Sequence, residues 1–340
     1  MNVDLLMRAK QIGLLVVDEG HRLKNTNGSL TLSALNSLVC KSRLLITGTP
    51  IQNNLSEFHN VANFVCPGIL GPLSRFRREY EKPITAANDK KASLREKTKG
   101  REMSLELDSI TSSFMIRRSQ EDILRVLLPP RLETLLFCRP SQTQCNLYQK
   151  FAQDVAKNPV NTLPLLSKLR KLCSHPDLVL RSEEHLNVGK SCSNLEDSGK
   201  LNILDSLLAS IRETCPDEKV IVVSNFTSAL TIIQKSILEK RNWTFLRLDG
   251  SVNQNDRQNM VDAFNRCSAN HSFVFLLSSK AGGCGLNLIG GNRLVMFDPD
   301  FNPATDAQAM ARIYRQGQKK NCHVYRLFTS GTVEEGKAQF

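Results

Sequence analysis

The chain has 340 residues, which is long enough for two domains of ordinary size. Hydrophobic residues make up 41% and charged residues 23%, a composition typical of a folded globular protein rather than a disordered chain. Lys and Arg outnumber Asp and Glu by 45 to 33, which gives a formal net charge of +12. This surplus fits a protein that binds phosphate backbones or an ordinary basic surface, and charge alone does not choose between them.

The ten cysteines are scattered and form no Cys-x-x-Cys pair. Structural zinc sites need ligands at short repeated spacings, so the pattern argues against zinc fingers and ribbons. No apolar stretch approaches the ~18 residues of a membrane helix, and the segment Met1–Gln11 lacks a signal-peptide core. We therefore expect a soluble protein of a reducing compartment, the cytosol or the nucleus, without a membrane partner.

Two short apolar runs near the start predict neighbouring strands. Gly13–Val17 ends abruptly in Asp18 and Glu19, and Arg43–Thr47 follows after a helical stretch around Ser33–Leu38. Apolar runs without alternation are typical of strands buried on both faces of a parallel sheet. The succession strand, helix, strand is the unit from which such a sheet is built.

The middle of the chain differs in composition. Ile69–Leu128 is charged and favours helices, which predicts helical insertions with an exposed loop around Asp89–Glu102. Another strand is predicted at Leu132–Arg139, directly after two prolines. The polar stretch Ser182–Ser198 is predicted to be a mobile linker.

After Gly199 strands and helices alternate again, which predicts a second doubly wound α/β domain. The predicted strands are Lys219–Val223, Thr244–Leu248, Ser272–Leu277, Arg293–Phe297 and Tyr325–Leu327. The predicted helices are Leu201–Ile211, Ser228–Glu239, Asn255–Asn265 and Ala304–Tyr314. The fold class that follows is α/β with parallel sheets.

Two polar segments follow the predicted strands near the start. The first is Asp18–His21, and ligands of open α/β sheets collect at the carboxyl ends of strands. One carboxylate there can hold Mg²⁺ and the other can orient an attacking water, although an Asp-Glu pair also occurs in ordinary surface turns. The second is Thr47–Asn54, whose glycine, hydroxyls and amides can sense a phosphate or form a plain Gly-Pro turn.

Two further segments belong to the second half of the chain. Ser278–Leu288 carries three glycines, which suit close approach to a phosphate, although their spacing is not that of a dinucleotide fingerprint. If Gln308–Gln318 is helical, Gln308, Arg312 and Arg315 lie on one face at i, i+4 and i+7. An arginine pair on such a face suits a transferring phosphoryl group, and a solvated basic face is the alternative.

The order and spacing of these segments resemble the SWI/SNF-type ATPases, which are translocases on double-stranded DNA built from two RecA-like lobes of helicase superfamily two. Asp18–His21 resembles the Mg²⁺-binding box of that family, and Leu45–Asn53 resembles its coupling motif. The other matching segments, in chain order, are Leu169–Pro176, Ser198–Leu201, Leu248–Gly250 with Arg257, Phe264–Asn265, Ser278–Leu288, Asp298–Pro303 and Gln308–Gln318. The resemblance extends from about Leu14 to Glu335.

The resemblance implies roles for individual residues and implies ATP and Mg²⁺ as cofactors. Asp18 would hold Mg²⁺ and Glu19 would position the water, while Arg312 and Arg315 would be arginine fingers. The implied nucleotide contacts are His21, Gly285 and Gln308. The residues implied to couple phosphate release to motion are Thr47, Gly48 and Thr49. The implied contacts to the DNA backbone are Ser279, Lys280 and Asn302, which predicts sequence-independent and salt-sensitive binding.

Some details resemble one branch of the family, the homologous-recombination repair proteins. The box has Gly20 where most of the family has Ala, and Gly290–Gly291 and Phe297–Thr305 point the same way. This likeness implies work in the nucleus with a strand-exchange recombinase filament on duplex DNA. A nucleosome remodeller is an alternative reading.

The sequence also departs from the family pattern, because it contains no loop ending in Gly-Lys-Thr or Gly-Lys-Ser to hold the ATP phosphates. In the family that loop lies upstream of the Asp-Glu box, and here 17 residues precede Asp18. We therefore expect an inactive fragment that lacks the first half of lobe one and the usual continuation after Glu335. Missing strands should leave apolar faces of lobe one exposed. The other alternative is a non-catalytic isoform that binds DNA or the recombinase.

The predicted domain limits follow from these segments. Residues 1–68 would be the C-terminal half of lobe one, 69–198 helical insertions and a linker, 199–335 lobe two, and 336–340 a divergent tail.

Overall fold

The computed structural model describes residues 12–23, 30–48, 55–89, 92–118, 128–157, 162–183, 195–279, 281, 285–300 and 302–337. The chain divides into two compact units, Met1–Arg118 and Ser119–Phe340. Within the described ranges, every helix is too short or too polar to cross a lipid bilayer.

The first unit contains a two-stranded parallel sheet, in which β1 (Ile12–Val17) pairs with β2 (Cys40–Leu45). A 3-10 turn at Gly20–Leu23 and helix α1 (Leu30–Asn36) lie between the two strands in sequence. The inner face of the sheet packs on an apolar cluster of buried side chains, which are Leu23, Leu35, Leu38 and Phe64.

The outer face of this sheet is open within the described part of the chain. Leu14, Val16, Leu44 and Ile46 keep 55%, 50%, 47% and 50% of their surface exposed. The prediction that both strands are buried on two faces is therefore wrong for β1 and β2. The reason is that the described elements pack against one side of the sheet only. Among the described residues, apolar side chains are therefore exposed on this face of the sheet.

Helices form the rest of the first unit and enclose a core of their own around Phe58, Phe76 and Leu107. These helices are α2 (Leu55–Val65), α3 (Leu73–Phe76), which a π-helical turn (Arg77–Glu81) joins to α4 (Lys82–Ala87), and α5 (Leu94–Ser112).

A capping box starts the long helix α5. The Ser93 hydroxyl accepts from the Glu96 N–H at 3.3 Å, and the Glu96 carboxylate accepts from the Ser93 N–H at 2.8 Å. The loop expected at Asp89–Glu102 is therefore helical from Leu94 onwards. The sequence analysis overlooked the Ser-x-x-Glu signal that starts this helix.

The second unit contains a six-stranded sheet in the order β3-β8-β7-β4-β6-β5, in which all paired strands are parallel. The strands are β3 (Arg131–Cys138), β4 (Val220–Ser224), β5 (Phe245–Leu248), β6 (Val274–Ser278), β7 (Arg293–Met296) and β8 (Cys322–Thr329). The predicted α/β class with parallel sheets is confirmed. The strand predicted at Leu132–Arg139, within the range assigned to insertions and linker, forms an edge of this sheet.

Helices accompany this sheet. They are α6 (Gln142–Lys157), α7 (Thr162–Ser174), α8 (Asp177–Glu183), α9 (Gly199–Thr214), α10 (Thr227–Ile233), α11 (Gln254–Arg266) and α12 (Pro303–Met310). Alternate residues of the central strands enter different cores: Val222 packs in one cluster and Ile221 in the other. Strands β4 and β6 are consequently buried along their whole length, as a doubly covered parallel sheet requires.

A buried network fixes the start of α9. The Ser198 hydroxyl accepts from the Leu201 N–H and donates to the Ser174 carbonyl at 2.7 Å. Lys200 Nζ, which is fully buried, lies 2.7 Å from a carboxylate oxygen of Glu334 and donates to the Phe297 carbonyl at 2.9 Å. Of the predicted linker Ser182–Ser198, residues 184–194 lie outside the described part.

Candidate nucleotide-binding and DNA-binding residues

The Asp-Glu pair forms the turn directly after β1. The Asp18 carboxylate accepts a hydrogen bond from the Glu19 N–H at 2.8 Å. Asp18 is exposed and Glu19 is half-buried. Glu19 has φ 53°, a left-handed conformation that is uncommon outside glycine and that clusters at functional sites. The turn therefore presents one carboxylate to solvent and holds the next in a strained backbone.

Gly20 ties this turn to the end of β2. Its N–H donates to the Ile46 carbonyl at 2.9 Å, and the Ile46 N–H donates to the Val17 carbonyl at 2.8 Å. A Cβ added to Gly20 would lie within 2.3 Å of Leu45 Cγ. The close approach explains why this chain has glycine at the third place of the box, since alanine would collide with Leu45.

The coupling residues lie at the same edge of the small sheet. β1 and β2 are parallel, so Asp18 and Thr47 both follow the carboxyl ends of their strands. Thr47 is half-buried and Gly48 is exposed. Thr49 lies outside the described residues. His21 belongs to the 3-10 turn Gly20–Leu23, and its side chain lies outside the description.

In the second unit the structure brings three predicted residues together. Ser279, Gln308 and Arg312 line one small cavity, together with apolar residues of β4 and β6 and with Thr305 of α12. Arg312 is buried, with 9% of its surface exposed. The cavity lies at the carboxyl end of the sheet, where ligands of open α/β folds bind.

The expected helical face of the arginines is wrong, because α12 ends at Met310. Beyond it the backbone forms turns with mixed hydrogen bonds: the Arg312 N–H donates to the Ala309 carbonyl at 3.2 Å (i→i−3), and the Tyr314 N–H donates to the Met310 carbonyl at 2.9 Å (i→i−4). The resulting turns carry both arginines to the end of the Gly-rich segment. The Arg312 carbonyl accepts from the Leu288 N–H at 2.9 Å, and the Arg315 guanidinium donates to the Leu286 carbonyl at 3.4 Å.

The remaining predicted residues of the second unit are not among those that line this cavity. Gly285 has φ 56°, which glycine adopts freely. Asn302 is exposed, and its N–H donates to the Asp300 carboxylate at 2.9 Å just before α12. Lys280 lies outside the described residues.

Sequence analysis gave no role to Asn225 and Asp298, which follow β4 and β7. Asp298 is buried, and burial raises the pKa of its carboxyl to about 7 against the opposing effect of hydrogen bonds from the Asn225 N–H and the Ser224 hydroxyl. The Asn225 side chain accepts from the Ser279 hydroxyl at 2.5 Å. The signal was present in the sequence: a polar pair, Ser224 and Asn225, ends an apolar strand.

Basic side chains of α7 also reach the carboxyl end of the sheet. The Arg170 guanidinium donates to the Pro299 carbonyl at 2.9 Å and lies 5.7 Å from the centre of the Phe226 ring. Lys171 Nζ lies 6.0 Å from the same ring. The segment Leu169–Pro176 thus places two cations beside the loops that follow β4 and β7.

The two implied cofactors are Mg²⁺ and ATP, and the residues present fit ATP only in part. Among the described residues, no group of three or more His, Cys, Asp or Glu could hold a metal ion. A single exposed carboxylate such as Asp18 nevertheless suits Mg²⁺, which keeps its waters and takes further oxygens from nucleotide phosphates. For ATP, the chain offers Gln308, Arg312 and Arg315 but no Gly-Lys-Thr loop.

Two family models match the chain. The SNF2-related domain matches residues 2–178, and the helicase conserved C-terminal domain matches residues 199–317.

Named relatives agree with these matches. The chain is 43% identical to human DNA repair and recombination protein RAD54B over 95% of its own length, 43% identical to human RAD54-like protein over 98%, and 42% identical to rhp54 of Schizosaccharomyces pombe over 96%. It spans 38%, 47% and 40% of those three proteins, which is less than half of each.

Solved structures support the same family. The SWI2/SNF2 ATPase core of Sulfolobus solfataricus, solved in complex with double-stranded DNA, superposes with a TM-score of 0.53 at 27% identity, over 99% of this chain and 69% of that one. The C-terminal part of the Fun30 ATPase domain has a TM-score of 0.52 at 27% identity, over 62% of this chain and 88% of that one. The chain therefore belongs to the SNF2-related ATPase family with a helicase C-terminal domain, within which it resembles the RAD54 and RAD54B recombination repair proteins.

Proposed function

We propose that this chain is part of an ATP-driven translocase that moves on double-stranded DNA during homologous recombination. The observation that carries the proposal is the convergence of Ser279, Gln308 and Arg312 on one cavity at the carboxyl end of the larger sheet. These residues come from two segments, Ser278–Leu288 and Gln308–Gln318, that the sequence analysis assigned to nucleotide and DNA contacts.

The residues have distinct roles in this proposal. In the first unit, Asp18 would hold Mg²⁺ and the strained Glu19 would orient the attacking water, with His21 as a further nucleotide contact. In the second unit, Gln308 and the Gly285 backbone would contact ATP. ATP bound with Mg²⁺ would supply the phosphoryl group that is transferred to water.

The arginines would stabilise the charge that develops on that phosphoryl group. Arg312 is the better placed of the two, because it is buried in the same cavity as Gln308. A guanidinium held in a site that excludes water acts more strongly than the same group in solvent. Arg315 is tied to the Leu286 carbonyl and would support the Gly-rich segment as well.

Motion would couple to hydrolysis through Thr47, Gly48 and Thr49. Thr47 follows Ile46. The Ile46 N–H donates to the Val17 carbonyl at the end of β1, and the Ile46 carbonyl accepts from the Gly20 N–H in the Asp-Glu turn. A shift at the phosphate site would therefore reach β2 through main-chain hydrogen bonds. Ser279, Lys280 and Asn302 are the proposed contacts to the DNA backbone, and the recombinase filament on duplex DNA is the proposed partner in the nucleus.

A second candidate is a module that binds DNA or recombinase without turnover. It is favoured by a specific observation, the net charge of +12, which suits a phosphate backbone. A nucleosome remodeller is the third candidate, since other branches of the family have that role. On the leading proposal we expect no ATP turnover from these 340 residues alone.

The deciding experiment measures ATP hydrolysis with and without duplex DNA. It compares the 340-residue chain with a chimera in which the part of human RAD54B that precedes the matched region is joined to the N-terminus of this chain. DNA-stimulated turnover by the chimera, abolished by Glu19→Gln and by Arg312→Ala, supports the translocase. A chimera that binds duplex DNA and stays inactive supports the binding module.

The choice of partner needs a separate measurement. Binding of the chimera to naked duplex, to duplex coated with a strand-exchange recombinase, and to mononucleosomes is compared at one salt concentration, because phosphate contacts make affinity salt-dependent. Tighter binding to the coated duplex supports the recombination role. Preference for nucleosomes would contradict it.

A further inference from the structure

Ser279 lies at the start of the Gly-rich segment, and its two hydrogen-bond donors are both used inside the protein. The Ser279 N–H donates to the Ser224 carbonyl at 3.0 Å, and its hydroxyl lies 2.5 Å from Asn225 Oδ1. The Asn225 amide donates through Nδ2 to the Asp298 carbonyl at 2.9 Å, which turns its oxygen towards Ser279. The hydroxyl of Ser279 must therefore be the donor in that bond.

Asn225 is itself held firmly by the end of β7. Its N–H donates to the Asp298 carboxylate at 2.6 Å, and Asp298 is buried with 4% of its surface exposed. The adjacent strands β7, β4 and β6 thus end in one hydrogen-bonded group, made of Asp298, Ser224 with Asn225, and Ser279. This group fixes the point at which the Gly-rich segment leaves the sheet.

The far end of the segment is held by another asparagine, Asn265 of α11. Its Nδ2 donates to the Asn287 carbonyl at 2.7 Å, and its Oδ1 accepts from the Gly290 N–H at 2.8 Å. A Cβ on Gly290 would lie 2.6 Å from the Asn265 Cα, so the contact needs glycine. The end of α11 is fastened in turn by Lys219, which donates to the Cys267 carbonyl at 2.8 Å.

We infer that Asn225 and Asn265 are positioning residues that hold the two ends of the Gly-rich segment Ser278–Leu288. Asn225 holds it at Ser279, and Asn265 holds it at Asn287 and at the following Gly290. The segment carries the glycines suited to phosphate, and holding its described ends in place lowers the conformational entropy that binding has to overcome. Ser279 then acts first as an anchor of the segment, and any contact of its side chain with DNA comes second to that role. The inference rests on the proposed function, since it takes this segment to meet a phosphate backbone.

The first test needs no ligand. Hydrogen exchange of the full chain is compared for wild type, Asn225→Ala, Asn265→Ala and, as a matched control, Asn202→Ala, which changes an exposed asparagine of α9. We expect at least about fivefold faster exchange in Ser279–Gly290 for the first two variants and none for the control. Unchanged exchange in both would overturn the inference. Asn265→Asp should restore protection of Gly290, because a carboxylate still accepts its N–H.

The second test separates positioning from a merely structural role. Affinity for a labelled duplex is measured for Asn225→Ala, Ser279→Ala and the double variant at constant salt. We expect about fivefold loss in each single variant and no further loss in the double, because both break the same bond. Losses that multiply would show that Ser279 contacts DNA by itself. Unchanged affinity with faster exchange would also overturn the positioning role.

The two failures are distinguishable. If the wild-type chain does not bind duplex DNA at all, the proposed function is contradicted, while the exchange experiment still decides whether the asparagines hold the segment. If wild type binds and the variants bind equally well, the positioning role alone fails.

Discussion

The two parallel sheets of this protein differ in how their apolar strands are covered. In the larger sheet, β4 and β6 are buried throughout, with helices on both faces. In the smaller sheet, β1 and β2 are packed on one face, and Val16 on the other face keeps half of its surface exposed. β1 has the same kind of apolar sequence as β4 and β6, whereas β2 also contains Lys41, Ser42 and Arg43. An apolar run predicts a parallel strand, but what covers the strand is decided elsewhere in the chain.

The comparison predicts different responses to the same perturbation, and the largest effect is expected in the second unit. Lys200 and Glu334 form a fully buried ion pair. Lys200→Met leaves the carboxylate of Glu334 buried and uncompensated, so we expect a loss of about 3–5 kcal/mol in unfolding free energy, measured by urea denaturation. The double variant Lys200→Met with Glu334→Leu should recover most of it. If the double variant loses as much unfolding free energy as the single variant, the ion pair contributes more than the mutual neutralisation of two buried charges.

The next prediction applies one change to both sheets. Val222 of β4 is fully buried and Val16 of β1 is 50% exposed. Valine to threonine adds a hydroxyl at nearly constant size, and burying that hydroxyl costs about 1–3 kcal/mol, whereas water solvates an exposed one. Val222→Thr should therefore lower the urea midpoint clearly and Val16→Thr hardly at all. Equal losses would mean that the outer face of the small sheet is covered in solution.

A third prediction concerns the contact that ties the Asp-Glu turn to β2. Gly20→Ala forces a methyl group against Leu45, and overpacking of this kind costs about 1–3 kcal/mol. We expect faster hydrogen exchange of β1 and β2, with no change in the second unit. Gly13→Ala is the matched control, because a Cβ there meets no atom within 4 Å. If adding Leu45→Ala to Gly20→Ala does not restore protection, the collision is not the cause.

Much of this architecture could be predicted from the sequence, and the exceptions have physical reasons. The strands of the larger sheet lie within a few residues of their predicted positions, because apolar runs between polar turns mark them strongly. Pairing partners could not be read in this way: β3 lies far from β8 in sequence and joins it at the sheet edge. The end of α12 was missed because Gln308–Gln318 has helical spacing, whereas the regular helix ends at Met310 and continues as turns with mixed i→i−3 and i→i−4 hydrogen bonds.

The site was predicted unevenly for a similar reason. Glycines, carboxylates and arginines that follow strands stand out in a sequence, and Gln308 and Arg312 do share a cavity. Asn225 did not stand out, and Asn265 stood out only as part of the matching segment Phe264–Asn265, because their importance lies in the partners that folding brings to them across 54 and 22 residues. A positioning residue is recognised by its hydrogen bonds, which only a three-dimensional structure provides.

The last prediction concerns a pH dependence at Asp298, which follows β7 of the larger sheet. Burial raises the pKa of its carboxyl from 3.8 to about 7. Between about pH 4 and pH 7 the folded protein thus keeps a proton that the unfolded chain has lost, so this group's contribution to stability falls as pH rises through that range and is constant above it.

Asp298→Asn removes the charge and keeps one acceptor oxygen for the Asn225 N–H, while its amide nitrogen faces the Ser224 hydroxyl as the hydroxyl of a protonated carboxyl would. We expect the variant to match wild type near pH 4.5 and to be more stable than wild type at pH 8, measured as unfolding free energy across the range. A control with Asp300→Asn, which changes a neighbouring carboxylate outside the buried group, should show no such divergence. A constant difference between Asp298→Asn and wild type at every pH would mean that the carboxylate is ionised throughout, held by its hydrogen bonds against the cost of burial.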